Sequence, residues 1–117
     1  MSTIAEIANR LASLCNEQEF IEAYTELFSE NAVSIVPNNN NEPITGLYNL
    51  IEYERQFLAK VDIHDIKVSD AIFAGSYFSL VFSMHFTLKG QVPKMVEEIC
   101  VYKVEKGKIV SQQFFIG

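Results

Sequence analysis

The order of patterns along the chain predicts an α+β domain, with three N-terminal helices packed on one face of a strongly curved antiparallel sheet. Three observations predict it. Apolar residues recur at spacings of three and four through the first sixty residues, the mark of amphipathic helices. From Ser76 to Leu88 the period changes to two: Phe78, Leu80, Phe82, Met84, Phe86 and Leu88 alternate with Tyr77, Ser79, Val81, Ser83, His85 and Thr87. Lys106-Gly107 then makes a tight hairpin between two further alternating segments.

Taken in order, Thr3 followed by Glu6 is a capping box and starts the first helix, whose stripe is Ile4, Ile7, Ala8, Leu11, Leu14 and Cys15. Asn16 with Glu19 repeats the start signal for a second helix, with Phe20, Tyr24, Leu27 and Phe28 buried and Ser29-Glu30-Asn31 at its end. Glu19, Glu22, Glu26 and Glu30 form a solvated acidic row on its other side. Ala32 to Val36 reads as a short strand stopped by Pro37, and the polar run Asn38 to Pro43 as an exposed loop. Thr45-Gly46 leads into a third helix, Leu47 to Lys60, with an apolar stripe of Leu47, Leu50, Ile51, Phe57, Leu58 and Val61. Glu54 interrupts that stripe near the middle of the face turned to the sheet. Four strands follow: Ile63 to Phe73, the long central one, Val96 to Glu105, and Lys108 to Ile116. Thirteen residues of strand would span about 43 Å, beyond the usual strand length, so the central strand is expected to bend at a bulge.

Residues 1–117 suffice for one domain with one core, and an apolar fraction of 49% fills it. The net charge is −6 and the nine basic residues are scattered, which argues against a phosphate-binding groove for nucleic acid and against an anionic membrane surface. No basic-then-apolar leader opens the chain, and no run approaches the roughly eighteen apolar residues of a membrane span. Cys15 and Cys100 have no metal or redox spacing and read as buried thiols of a reducing cytoplasm. No cofactor is implied.

Three stretches, LFSENAVSIVP, ITGLYNLIEYERQFL and VYKVEKGKIVSQQFF, resemble in order and spacing the nuclear-transport-factor-2-like superfamily, specifically its SnoaL-like branch. Polyketide cyclases and ketosteroid isomerases are members. The resemblance covers nearly the whole chain and implies a cone-shaped, cystatin-like fold. In such folds helices and bent sheet enclose a pocket open at one end, and the outer sheet face commonly forms a homodimer. It does not fix an activity, since the superfamily includes isomerases, cyclases, dehydratases, hydrolases and non-catalytic binders. Carried over by position, the isomerase base falls at Val36, its oxyanion tyrosine near Leu11 and its neutral aspartate near Cys100. The cyclase aspartate falls near Gly117, so neither proton-transfer set is present.

With even positions of the central strand inward, pairing parity turns Glu98, Cys100 and Tyr102 inward on the next strand and Gln112, Phe114 and Ile116 on the last. Glu54, at the family position of a second pocket tyrosine, faces the same space. The expected wall is apolar with a few convergent polar groups, the pattern of a small-molecule site. Its ligand-binding residues are Val36, Tyr53, Phe82, Met84, Phe86, Cys100, Tyr102, Gln112 and Phe114. Glu54 and Glu98 are the candidate acid–base pair, since two carboxylates in one apolar cavity repel and one should keep its proton near neutrality. A salt bridge from Arg10 or Arg55 to Glu54, or exposure of Glu98 at the mouth, would make the pair structural instead. His85 falls on the outer face, and neither it nor His64 has zinc-ligand spacing. The expected function is binding of a small apolar or aromatic molecule, with proton transfer as an isomerase, cyclase or dehydratase. The alternative is a non-catalytic ligand-binding or dimerisation scaffold.

Overall fold

The capping box forms: Thr3 Oγ1 accepts from the Glu6 N–H at 3.1 Å, and Glu6 Oε1 accepts from the Thr3 N–H at 2.9 Å. In the computed structural model of the chain, which describes residues 2–117, helix α1 runs Ile4–Asn16. The second start signal does not act as expected. Asn16 is the last residue of α1, and Gln18 takes a left-handed φ of 61°. The Glu19 N–H then reaches back to the Leu14 carbonyl at 2.8 Å and the Gln18 N–H to the Cys15 carbonyl at 3.0 Å. That closure satisfies the free carbonyls of α1, and α2 (Phe20–Leu27) starts without a side-chain cap.

Phe28 also departs from its helical spacing. It opens strand β1 (Phe28–Ile35), where it pairs with Ile109 of the last strand and is still buried. The asparagine-rich run is more ordered than a plain loop. It carries a 3-10 turn at Pro37–Asn39, left-handed Asn40 and Asn41, and a short strand β2 (Pro43–Thr45) paired antiparallel with β1. Gly46 follows at φ 93°, a conformation open to glycine, and its N–H binds the Ala32 carbonyl at 2.8 Å. This ties the start of α3 (Leu47–Leu58) to β1 and sets the rotation of the helix over the sheet.

The remaining strands are β3 (Val61–Val68), β4 (Ile72–Ala74), β5 (Tyr77–Leu88), β6 (Lys94–Glu105) and β7 (Lys108–Ile116). The sheet order is β2-β1-β7-β6-β5-β3, with β4 also beside β5. The segment read as one strand from Ile63 to Phe73 is two, both paired to β5, with Ser69 bridging the gap through bonds to the Val81 backbone. The antiparallel meander is extended by β1, which lies parallel to β7, so the curved sheet is mixed and unclosed. The register shifts fall on β3, on β7 and between β1 and β7 rather than on the central strand β5. His64 is the extra residue of β3 between Ile63↔Phe86 and Asp65↔His85, and Val110 is the extra residue of β7 between Ser111↔Lys103 and Ile109↔Val104.

Parity is as expected. Phe78 and Leu80 are each 1% exposed, Phe82 6% and Phe86 7%, whereas Tyr77 is 45% and Val81 37% exposed on the other face. The core joins the inner face of the sheet to α1 and α2 through Ile7, Leu11, Tyr24, Phe28, Phe78 and Leu80. Phe78 stacks on Tyr102 with ring centroids 4.9 Å apart.

Candidate functional site

The core does not fill the whole space between helices and sheet. A cavity of about 480 Å³ remains at one end, within the size range of small-molecule sites. The inner faces of β5, β6 and β7 make one wall through Phe82, Met84, Phe86, Glu98, Tyr102, Gln112 and Phe114. Tyr53, Glu54 and Phe57 of α3 make another, α1 and α2 close it through Leu11, Cys15 and Tyr24, and Val36 and Pro37 stand beside them. Of the residues expected there, all but Cys100 line the space. Cys100 is completely buried, its Sγ 3.9 Å from Glu98 Oε1, so it packs in the sheet instead of presenting a surface.

Glu54 and Glu98 both border this cavity. Glu54 lies one helical turn after Leu50 and Ile51, which turns it to the sheet side of α3. The basic residues that could have neutralised it are engaged elsewhere: Arg10 forks onto Glu26 at 2.7 and 2.9 Å, and Arg55 bonds Glu52 at 2.9 Å. Among the described residues no ion pair or hydrogen bond reaches the Glu54 carboxylate. Glu54 is partly buried and lines the cavity, and burial pushes its pKa up to about 7, with the Glu98 charge adding to the rise. Burial raises Glu98 as well, opposed in part by its contact with Cys100. A carboxyl that is half protonated at neutral pH can give or take a proton without a large penalty in either direction.

The polar floor was not fully legible in the sequence. Gln112 Nε2 donates to Tyr24 Oη at 2.8 Å and to Ser34 Oγ at 2.9 Å, a buried bridge joining β7 to α2 and β1. The amide nitrogen of Gln112 is thus committed to the protein, and Tyr24, assigned by spacing to an apolar stripe, brings a hydroxyl to the cavity. Burial holds the Tyr24 and Tyr102 hydroxyls well above the usual tyrosine range. Lys94 was also missed, although parity was available to find it. It pairs across from Phe86 and holds its ammonium 5.9 Å from that ring.

On the outer face His64 Nε2 lies 2.7 Å from Thr87 Oγ1, and the His64 and His85 rings are 5.0 Å apart. Among the described residues no group of three or more His, Cys, Asp or Glu is placed to hold a metal ion, and no helix is long and apolar enough to cross a membrane.

Comparison with known proteins gives the same architecture. A protein from Mesorhizobium loti named for SnoaL-like polyketide cyclases superposes with a TM-score of 0.89 at 23% identity, covering 97% of this chain and 99% of that one. A Catenulispora acidiphila protein with a ketosteroid isomerase-like fold, solved with trimethylamine, gives 0.77 at 17% identity over 97% of this chain and 86% of that one. An NTF2-like protein of unknown function from Burkholderia xenovorans gives 0.75 at 15% identity over 96% and 80%. At these identities the likeness establishes the fold. No curated protein matches the sequence. The SnoaL-like domain family matches residues 1–116, and the chain belongs to that family.

Proposed function

We propose that the cavity receives a small apolar or aromatic molecule and that Glu54 and Glu98 move a proton on it. The observation that carries this reading is Glu54, an unpaired carboxyl in an aromatic-walled cavity with its pKa raised to about 7. In an isomerisation of a carbonyl-bearing or cyclic substrate, ionised Glu98 would take a proton from the carbon next to the carbonyl. Protonated Glu54 would hydrogen-bond the developing oxyanion, and Glu98 would return the same proton to a different carbon. The test pairs ligand binding with exchange. Apolar carbonyl compounds should raise the thermal midpoint of the wild type, and in D2O the bound compound should gain deuterium next to its carbonyl, at a rate lost in Glu98→Gln. No stabilisation by any compound rejects the pocket; stabilisation without exchange rejects the catalysis.

One observation favours a non-catalytic binder. Carried over by resemblance, the positions where the family's isomerases and cyclases keep their proton-transfer groups fall at Val36 and near Leu11, Cys100 and Gly117, none of which can transfer a proton as those groups do. Stabilisation by ligand with no deuterium uptake is the result expected of that scaffold.

A homodimer through the outer sheet face is part of the same proposal. Tyr77, Val81, Met95, Ile99 and Phe115 leave that face apolar and exposed, an area that a second copy would cover. Light scattering at micromolar concentration should return a dimer, and a monomer rejects this interface. The two free, buried thiols support a reducing cytoplasmic setting.

A further inference from the structure

The cavity combines two features that an uncharged apolar ligand does not explain together. Its walls are dense in aromatic rings, among them Phe57, Phe82, Phe86 and Phe114. Into that setting α3 and β6 each project a carboxylate, and no cation of the protein pairs with either among the described residues. Burying carboxylates without a partner is costly, and proteins normally supply a counter-charge. Lys94 does not supply it. It borders the same cavity but forms no ion pair with either carboxylate: its backbone is four residues from that of Glu98, about 13 Å along an extended strand, and its ammonium lies 5.9 Å from the Phe86 ring. The other titratable groups against the pair are Cys15, Tyr24 and Tyr53 near Glu54 and Cys100 beside Glu98, all neutral at pH 7 because burial raises each of them.

We propose that the missing counter-charge comes with the ligand: the site takes an organic cation, a protonated or quaternary amine bearing an apolar group, with its charge between Glu54 and Glu98 and against the aromatic walls. Ring faces carry negative charge density and attract such cations, most strongly where water is excluded. The inference rests on the cavity being a ligand site and specifies what it binds. It also sets the state of the acid–base pair. An ammonium beside Glu54 stabilises the ionised form, so binding at pH 7 releases a fraction of a proton from Glu54 and leaves both carboxylates ionised.

Three probes of one shape separate charge from apolar contact: phenyltrimethylammonium, its neutral isostere tert-butylbenzene, and the anion benzenesulfonate. Dissociation constants come from NMR titration of the wild type and of the Glu54→Gln/Glu98→Gln double variant, whose fold is secured by keeping side-chain shape while removing charge. The cation should bind the wild type at least roughly tenfold tighter than the isostere, as expected of a desolvated cation on aromatic faces beside carboxylates. The sulfonate should bind weakest, and the preference should vanish in the double variant. Calorimetry in two buffers of different ionisation heat should show a fraction of a proton released by the cation and none by tert-butylbenzene. Equal or tighter binding of tert-butylbenzene, or a cation preference that survives the double substitution, overturns the inference and leaves the apolar pocket standing. Absence of binding by all three overturns both.

Discussion

Glu54→Gln should stabilise the protein above neutral pH and leave it nearly unchanged in acid. The folded-state pKa of Glu54 is raised from the ordinary 4.5 to about 7, so the folded state holds a proton that the unfolded chain has released across this interval. Stability contributed by this group is therefore fully present below pH 4.5 and lost as pH rises through 7. A shift of that size corresponds to about 3 kcal/mol. Glutamine has the same shape and carries no charge to desolvate, so the variant escapes the loss. In a domain of this length about 3 kcal/mol moves the thermal midpoint by roughly 10 °C. The assay is thermal unfolding of wild type and variant from pH 4 to 9, read as the difference between them so that surface carboxylates such as Glu6 and Glu26 cancel. The midpoints should coincide near pH 4 and diverge up to pH 8, with the variant higher. A constant difference across that range, or a variant less stable at pH 8, would refute the desolvated, unpaired state of Glu54.

The carboxylates are coupled, so Glu98→Gln should lower the titration midpoint of Glu54 toward 4.5 without reaching it, because burial is the larger cause of its shift; side-chain carboxyl NMR measures this. Replacing Gln112 by alanine strands the Tyr24 and Ser34 hydroxyls and should cost about 1–3 kcal/mol in chemical denaturation, whereas Tyr24→Phe should cost about 1. Gly46→Ala forces a side chain into φ 93° at the point that orients α3, and a loss of more than about 1 kcal/mol is expected by the same method. Cys15, pushed up to about 12 by burial, should resist alkylation in the native protein at pH 8 and react on unfolding; fast native labelling would contradict its burial.

The wall of the cavity was readable because a strand has a period of two. Once Phe78, Leu80 and Phe82 were turned inward, the register carried the assignment to Glu98, Tyr102 and Gln112 on strands paired to it. The same rule reaches Lys94, opposite Phe86, but that lysine precedes the segment recognised as a strand. Helix α3 was legible for the opposite reason: Glu54 violates its stripe, and a polar residue in an apolar row signals a polar contact or a site. The turn after α1 gave no signal, since a left-handed Gln18 stands where glycine or asparagine would mark the end. Nor did local pattern show that Phe28 leaves the helix, because parallel pairing with β7 sets it against Ile109, far along the chain. Tyr24 was placed correctly as buried, but the partner for its hydroxyl lies on the last strand. The engagement of Arg10 and Arg55 by Glu26 and Glu52, which leaves Glu54 alone, is a matter of side-chain reach that spacing does not decide.

The most direct test is the titration of Glu54 followed through its side-chain carboxyl carbon in the ligand-free protein. A midpoint near 7, with Glu98 also above the ordinary carboxylate range, is the predicted result. A Glu54 midpoint at the ordinary 4.5 would mean that water or a counter-ion reaches the group, and the acid–base and cation-binding readings of the cavity would both fall.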